Sequence, residues 1–110
     1  MKMLKTVITY KTKDNKEPYT EWLYSLKDKV NQKRILVRIR RVEQGNYGDF
    51  SRFRGILELK FHFGKGYRVY CGEDGQSLVI LLAGGDKATQ SKDILKAVAY
   101  WEDYNEQKKI

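Results

Sequence analysis

Lys60, His62, Arg68, Tyr70 and Lys87 are the side chains of this sequence whose types could do chemistry together. Four of them fall in two stretches, GILELKFHF and GYRVYC, and the fifth follows Gly84-Gly85-Asp86. Arginine suits charge stabilisation, because its planar fork holds two oxygens of a phosphate and keeps its proton. Cations set close together disfavour each other's protonation, which makes a lysine usable as a base near neutral pH. His62 beside an arginine suits a neutral base; read simply as a half-exposed strand residue it has no role. Glu58 is either a general base or, the favoured reading, the group that positions Lys60 or Arg68. Lys87 is one wall of an anion site or a solvated strand end. Gly84 and Gly85 lack side chains and would let a substrate backbone approach.

The elements that must position these groups are legible as changes of period. Residues 4 to 11, LKTVITYK, alternate and predict a first strand. Pro18 suits a helix first turn, and Tyr19, Trp22, Leu23 and Leu26 follow at helical spacing. A second helix, about Val30 to Gln44, carries Ile35, Ile39 and Val42 on one face and Arg34, Arg38 and Arg41 on another, and Gly45 stops it. Only Glu43 within that helix is available to pair with the arginines, so the face is expected to stay open for a polyanion, away from the strand site.

In GILELKFHF the apolar Leu57, Leu59, Phe61 and Phe63 alternate with Glu58, Lys60 and His62, and the next strand alternates Tyr67, Val69 and Cys71 with Arg68 and Tyr70. A hairpin with a three-residue loop pairs Phe63 with Tyr67, His62 with Arg68 and Lys60 with Tyr70, leaving one apolar face and one ionisable face. On that open face Arg68 should be replaceable by alanine without loss of the fold. Ser77 to Ala83 reads as a central strand covered on both sides. A last helix starts after Thr89, whose hydroxyl is placed to cap it, with Ile94, Val98 and Trp101 as its buried stripe. The predicted fold class is α+β, a small single domain with an antiparallel sheet in the order β-α-α-β-β-β-α.

At 110 residues and 13.0 kDa, with one proline, 41% hydrophobic and 33% charged residues, the composition fits one folded domain. The longest apolar run, Leu78 to Ala83, is far too short for a membrane helix, and lysines interrupt the apolar start MKMLKTVITYKTK, unlike a signal peptide. The single Cys71 excludes an internal disulfide, suits a cytoplasmic location and sits on the apolar strand face. With one Cys and one His there is no zinc pattern, and no phosphate-binding P-loop or G-x-G-x-x-G run, so neither metal nor cofactor is expected. The net charge of +8 is local. Lys27 to Arg68 holds twelve Lys/Arg against four Asp/Glu, and the rest of the chain sums to zero. Such a block is the footprint of a polyanion partner, since each neutralised phosphate releases counterions.

The run ELKFHFGKGYRVYC, followed by LLAGGDKATQSKDI and a terminal helix, resembles the RelE/ParE superfamily of type II toxins, in its HigB-like branch of addiction module killer proteins. The likeness covers Tyr19 to Tyr104 and rests on Glu58, Gly66-Tyr67-Arg68, Gly84-Gly85-Asp86-Lys87, Gln90 and Asp93-Ile94 in combination. The resemblance implies a small cytoplasmic toxin that cleaves mRNA on the translating ribosome and is neutralised by a cognate antitoxin. Metal-free cleavage needs a base for the 2′-hydroxyl, cations for the phosphorane and an acid for the departing oxygen. Lys60, His62, Arg68, Lys87, Glu58 and Tyr70 are the candidates, with Arg34, Arg38, Arg41 and Lys65 holding RNA, including ribosomal RNA. Many nucleases of this superfamily carry further catalytic Tyr or His residues at the C-terminus, where this chain ends in Asn105-Glu106-Gln107-Lys108-Lys109-Ile110. Two alternatives stay open: a ParE-like poison of DNA gyrase, and a basic RNA-binding protein without catalysis.

Overall fold

The computed structural model describes residues 3–109; Met1, Lys2 and Ile110, the ends of the two terminal stretches read above, lie outside the described residues. Strand β1 (Thr6–Thr9) leads to helices α1 (Pro18–Ser25) and α2 (Lys29–Glu43). Strands β2 (Phe50–Phe53), β3 (Ile56–Lys60), β4 (Arg68–Asp74) and β5 (Leu78–Gly85) follow as a meander. A 3-10 turn (Lys87–Thr89) then enters the last helix, α3 (Gln90–Gln107).

Local chemistry explains the helix ends. Pro18 stands in the first turn of α1, where its missing N–H costs nothing. Asp28 caps α2 by accepting from the backbone of Val30 at 2.9 Å and Asn31 at 3.3 Å, and Gly45 closes it at a φ of 83°. The expected Thr89 cap is not made. Asp86 caps the 3-10 turn instead, through Ala88 N at 2.8 Å and Thr89 N at 3.2 Å, and the Thr89 hydroxyl bonds the Asp93 carboxylate.

The sheet order is β1-β5-β4-β3-β2, and β1 runs parallel to β5, with Thr6 beside Leu78 and Thr9 beside Leu81. The sheet is therefore mixed, not antiparallel as expected: alternation fixes which residues face the core but carries no strand direction. Nor does the sequence reading contain β2. It is four residues long and joins β3 through Arg54-Gly55, both at positive φ (53° and 80°), an unusual composition for a two-residue hairpin turn.

Helices cover both sheet faces. Leu57, Leu59, Val69, Cys71, Val79 and Leu81 pack with Leu23 of α1 and with Ile35, Ile39 and Val42 of α2. On the other face Ile56, Tyr70, Ile80 and Leu82 pack with Ala97, and with Ile94, Val98 and Trp101 of the predicted stripe. Trp101 lies so close over β4 that a Cβ on Gly72 would stand 2.1 Å from its ring. Among the described residues no helix is long and apolar enough to cross a membrane.

The far end of α3 is tied down by polar contacts. Tyr10 donates to Asp103 at 2.5 Å, and Asp74, at the end of β4, accepts from Tyr104 at 3.0 Å and Lys108 at 2.9 Å. These donors hold both carboxyls below the usual carboxylate range, Asp103 chiefly through Tyr10 and Asp74 chiefly through Lys108 and then Tyr104. A depressed carboxylate contributes stability that is complete above its unfolded pKa of about 4 and is lost as pH falls through the folded value. Urea midpoints should accordingly drop below about pH 4, and the Asp74→Asn/Asp103→Asn double variant should drop less steeply. Parallel curves for the two proteins would show that these contacts carry none of the acid sensitivity.

Candidate nucleic-acid interface

The β3–β4 connection decides where the candidate residues stand. Pairing places Lys60 across from Arg68, Leu59 across from Val69 and Glu58 across from Tyr70, two residues out of the expected register. A shift of two preserves the faces but changes every partner. The turn is longer than expected because Gly64 and Gly66 both take positive φ (57° and 71°) and Gly66 N bonds Phe63 O at 3.1 Å. Phe63 therefore does not pair with Tyr67 but packs edge-on against it, centroids 5.8 Å apart. His62 leaves the strand. Its exposed Nε2 meets Asp49 Oδ2 at 2.5 Å, a contact that holds the Asp49 carboxyl below its usual range.

The ionisable hairpin face is not open either, because α3 lies across it. Glu58 is 2% exposed, Tyr70 0% and Arg68 7%. Burial and the nearby carboxylates of Glu58 and Asp93 push the Tyr70 phenol well above its ordinary range, so it stays protonated and cannot serve as a base. Glu58 Oε2 stands 3.8 Å from Arg68 Nε and accepts from Gln90 Nε2 at 2.7 Å. Arg68 Nη1 donates to Gly66 O at 3.0 Å and Tyr67 O at 3.2 Å, while its Nη2 has no hydrogen bond among the described residues. Replacing Arg68 by alanine would leave Glu58 buried without its cation, so the expected fold-neutral substitution is corrected here.

At the end of the buried pair a cleft of about 460 Å³ opens between the hairpin turn and the start of the 3-10 turn, lined by Arg68, Lys87, Lys65 and His62 with Phe61, Phe63, Gly64 and Gly66. Lys87 reaches it because Gly85 pairs with Arg68 at the end of β5 and the chain then turns under the Asp86 cap. Its backbone N–H donates to Lys65 O at 3.5 Å, and its side chain lies along Gly66, where a Cβ would stand 3.3 Å from Lys87 Cδ. Lys60 stands beside Arg68, half-buried and outside the cleft lining. Glu58 and Tyr70 lie behind it. The glycines before Lys87 do not admit a substrate: a Cβ on Gly84 would be 2.1 Å from the Trp22 ring, and one on Gly85 would be 1.8 Å from Asp93 Oδ2. They admit the protein's own side chains.

The arginine face of α2 divides. Arg38 is a structural latch: Nε donates to Tyr47 O at 2.8 Å, Nη1 to Lys60 O at 2.8 Å and Nη2 to Asp49 O at 2.7 Å, with its guanidinium 4.8 Å from the Phe61 centroid. Arg34 lies on Phe63 at 3.9 Å and Arg41 is exposed; both line a groove of about 470 Å³ with Lys33, Val30, Val37 and Arg38 itself. Phe61, His62 and Phe63 line this groove and the Arg68 cleft alike, so the two cationic surfaces are continuous and not separate as expected.

The chain is 46% identical over 80 residues to an uncharacterized protein of Haemophilus influenzae, an alignment spanning 72% of this chain and 81% of the other. It belongs to the family of that protein. No family model and no solved structure matches the chain.

Asp49 and Gln90 were given no role in the sequence reading, although each touches a candidate residue. Asp49 is one of only four acids in the basic block, which is the signal that marks it. Gln90 stands out only as part of the family-like pattern. For the arginines, Arg38→Gln should cost about 1.5–3 kcal/mol, the scale of lost charged hydrogen bonds. Arg41→Gln should stay within about 0.5 kcal/mol of the parent. Chemical denaturation measures both, and equal midpoints would remove Arg38 as a latch.

Proposed function

We propose that this chain is the toxin of a type II toxin–antitoxin pair, of the RelE/ParE superfamily and its HigB-like branch: a metal-independent endoribonuclease that cuts mRNA on the ribosome in the cytoplasm and is held in check by a cognate antitoxin. The observation that carries the reading is the cleft in which a nearly buried guanidinium, whose Nη2 has no hydrogen bond among the described residues, meets Lys87 from another element and Lys65 from the hairpin turn. An anchored guanidinium end flanked by two ammonium groups is matched to a phosphodiester. The adjoining Lys33, Arg34 and Arg41 surface extends the same field along a strand of RNA.

In the proposed reaction a ribose 2′-oxygen bonds to the adjacent phosphorus and the bond from phosphorus to the 5′-oxygen breaks. The products are a 2′,3′-cyclic phosphate and a 5′-hydroxyl. Arg68 holds the non-bridging oxygens as charge builds on them. His62, oriented through Nε2 by Asp49, offers Nδ1 to the 2′-hydroxyl proton. Lys87 or Lys65 supplies the proton that the leaving oxygen takes. Glu58 and Tyr70 act from behind the cleft, on Arg68 and not on RNA.

Purified protein added to a translating extract should produce new mRNA 5′ ends, mapped by primer extension. Lys87→Met should fold normally and cut about 10²-fold more slowly, the scale for losing one preorganised charge-stabilising donor. Arg68→Lys keeps a cation beside Glu58 and loses the unengaged Nη2, so it should also cut slowly. Rates for Lys87→Met within about threefold of the parent would take Lys87 out of the mechanism. Intact mRNA together with lost gyrase supercoiling would favour the gyrase poison, and intact mRNA with retained RNA binding would favour a non-catalytic binder.

A further inference from the structure

The pair under α3 is incompletely closed. Glu58 and Arg68 are both more than nine-tenths buried, yet the carboxylate oxygen nearest the guanidinium stands 3.8 Å from Nε, beyond hydrogen-bond reach. Arg68 Nε and Tyr70 Oη are buried with no hydrogen-bond partner among the described residues. A carboxylate and a guanidinium left to themselves close to about 2.7–2.9 Å, often through two bonds at once. Something holds this pair apart, and the same Glu58 oxygen accepts from Gln90 Nε2 at 2.7 Å.

Gln90 is the first residue of α3, and the start of that helix is well anchored. Asp86 caps the turn before it, Thr89 bonds Asp93, and the Asp93 carboxylate sits over Gly85 in space that a Cβ would fill. The amide that reaches Glu58 therefore comes from a fixed point. We infer that Gln90 is a positioning residue that draws the Glu58 carboxylate toward α3 and keeps it from closing on Arg68, so that the guanidinium remains available to an RNA phosphate. This rests on the reading of Arg68 as the phosphate-binding group. Glu58 compensates the buried cation, and Gln90 stops the compensation from becoming neutralisation.

The test is a double-mutant cycle read by binding of a 2′-O-methyl RNA oligonucleotide, which cannot be cleaved through its 2′-oxygen, with thermal unfolding measured on every variant. Gln90→Leu removes the amide at similar length and lets Glu58 close on Arg68. It should bind about tenfold more weakly, the scale of one charge-assisted hydrogen bond, without losing stability. Adding Glu58→Gln removes the competing charge; it leaves the buried cation uncompensated and lowers the unfolding temperature, but the folded double variant should bind more tightly than Gln90→Leu alone, which independent structural damage from two substitutions cannot do. Gln90→Ala provides the same comparison by a second route should the leucine disturb folding. If Arg68→Lys weakens binding while Gln90→Leu and Gln90→Ala bind like the parent, or if the folded double variant binds no more tightly than Gln90→Leu alone, the positioning role is overturned and Arg68 keeps its own. If Arg68→Lys itself binds like the parent, the phosphate-binding reading fails and takes this inference with it.

Discussion

A guanidinium taken nine-tenths out of water is costly unless a carboxylate and hydrogen-bond acceptors meet it, and the burial of Arg68 constrains most of this molecule. Glu58 must lie within reach, on the diagonal from Arg68, which sets the pairing of β3 with β4. The carbonyls of Gly66 and Tyr67 must turn inward, which sets the shape of the hairpin turn. Helix α3 must lie over the pair, and it comes close enough only because Gly72 and Gly85 leave room for Trp101 and Asp93. What emerges at the surface is one end of a cation whose position is over-determined.

The second organising contact is Arg38. Its three nitrogens collect carbonyls from Tyr47, Asp49 and Lys60, tying α2 to the approach of β2 and to the end of β3. This cation is held against its own chain, at the floor of the groove that Arg34 and Arg41 line. Its effect on the interface is indirect: by fixing the chain on both sides of the turn, it aligns the Arg34 and Arg41 surface with the Arg68 cleft across Phe61, His62 and Phe63. Asp49, whose carbonyl meets Arg38 and whose carboxylate meets His62, joins the latch to the cleft.

Where reading from sequence succeeded and where it did not follows from the range of the forces involved. The faces of β3 and β4, the stripe of α3 and the Gly45 stop are set by side-chain period and local backbone geometry, and all were legible. The two-residue register shift was not, since pairings two apart put the same residues on the same faces and only the glycine-rich turn distinguishes them. Gly84 and Gly85 looked like openings for a ligand because a missing side chain says that something approaches, not what approaches. Trp22 arrives from a helix far away in the chain, and Asp93 from the helix that follows β5.

By itself the sequence determined that helices pack on a sheet, that positive charge gathers between Lys27 and Arg68, and which residue types could meet a phosphate, because composition, period and local charge are properties of the chain in one dimension. The tertiary structure alone decided that β1 runs parallel to β5, that Arg38 is spent on carbonyls, that Glu58 and Tyr70 lie behind the cleft and that Gln90 bonds a carboxylate in another element. Each of these depends on groups tens of residues apart competing for the same donors in a space without water, and that competition exists only once the chain has closed on itself.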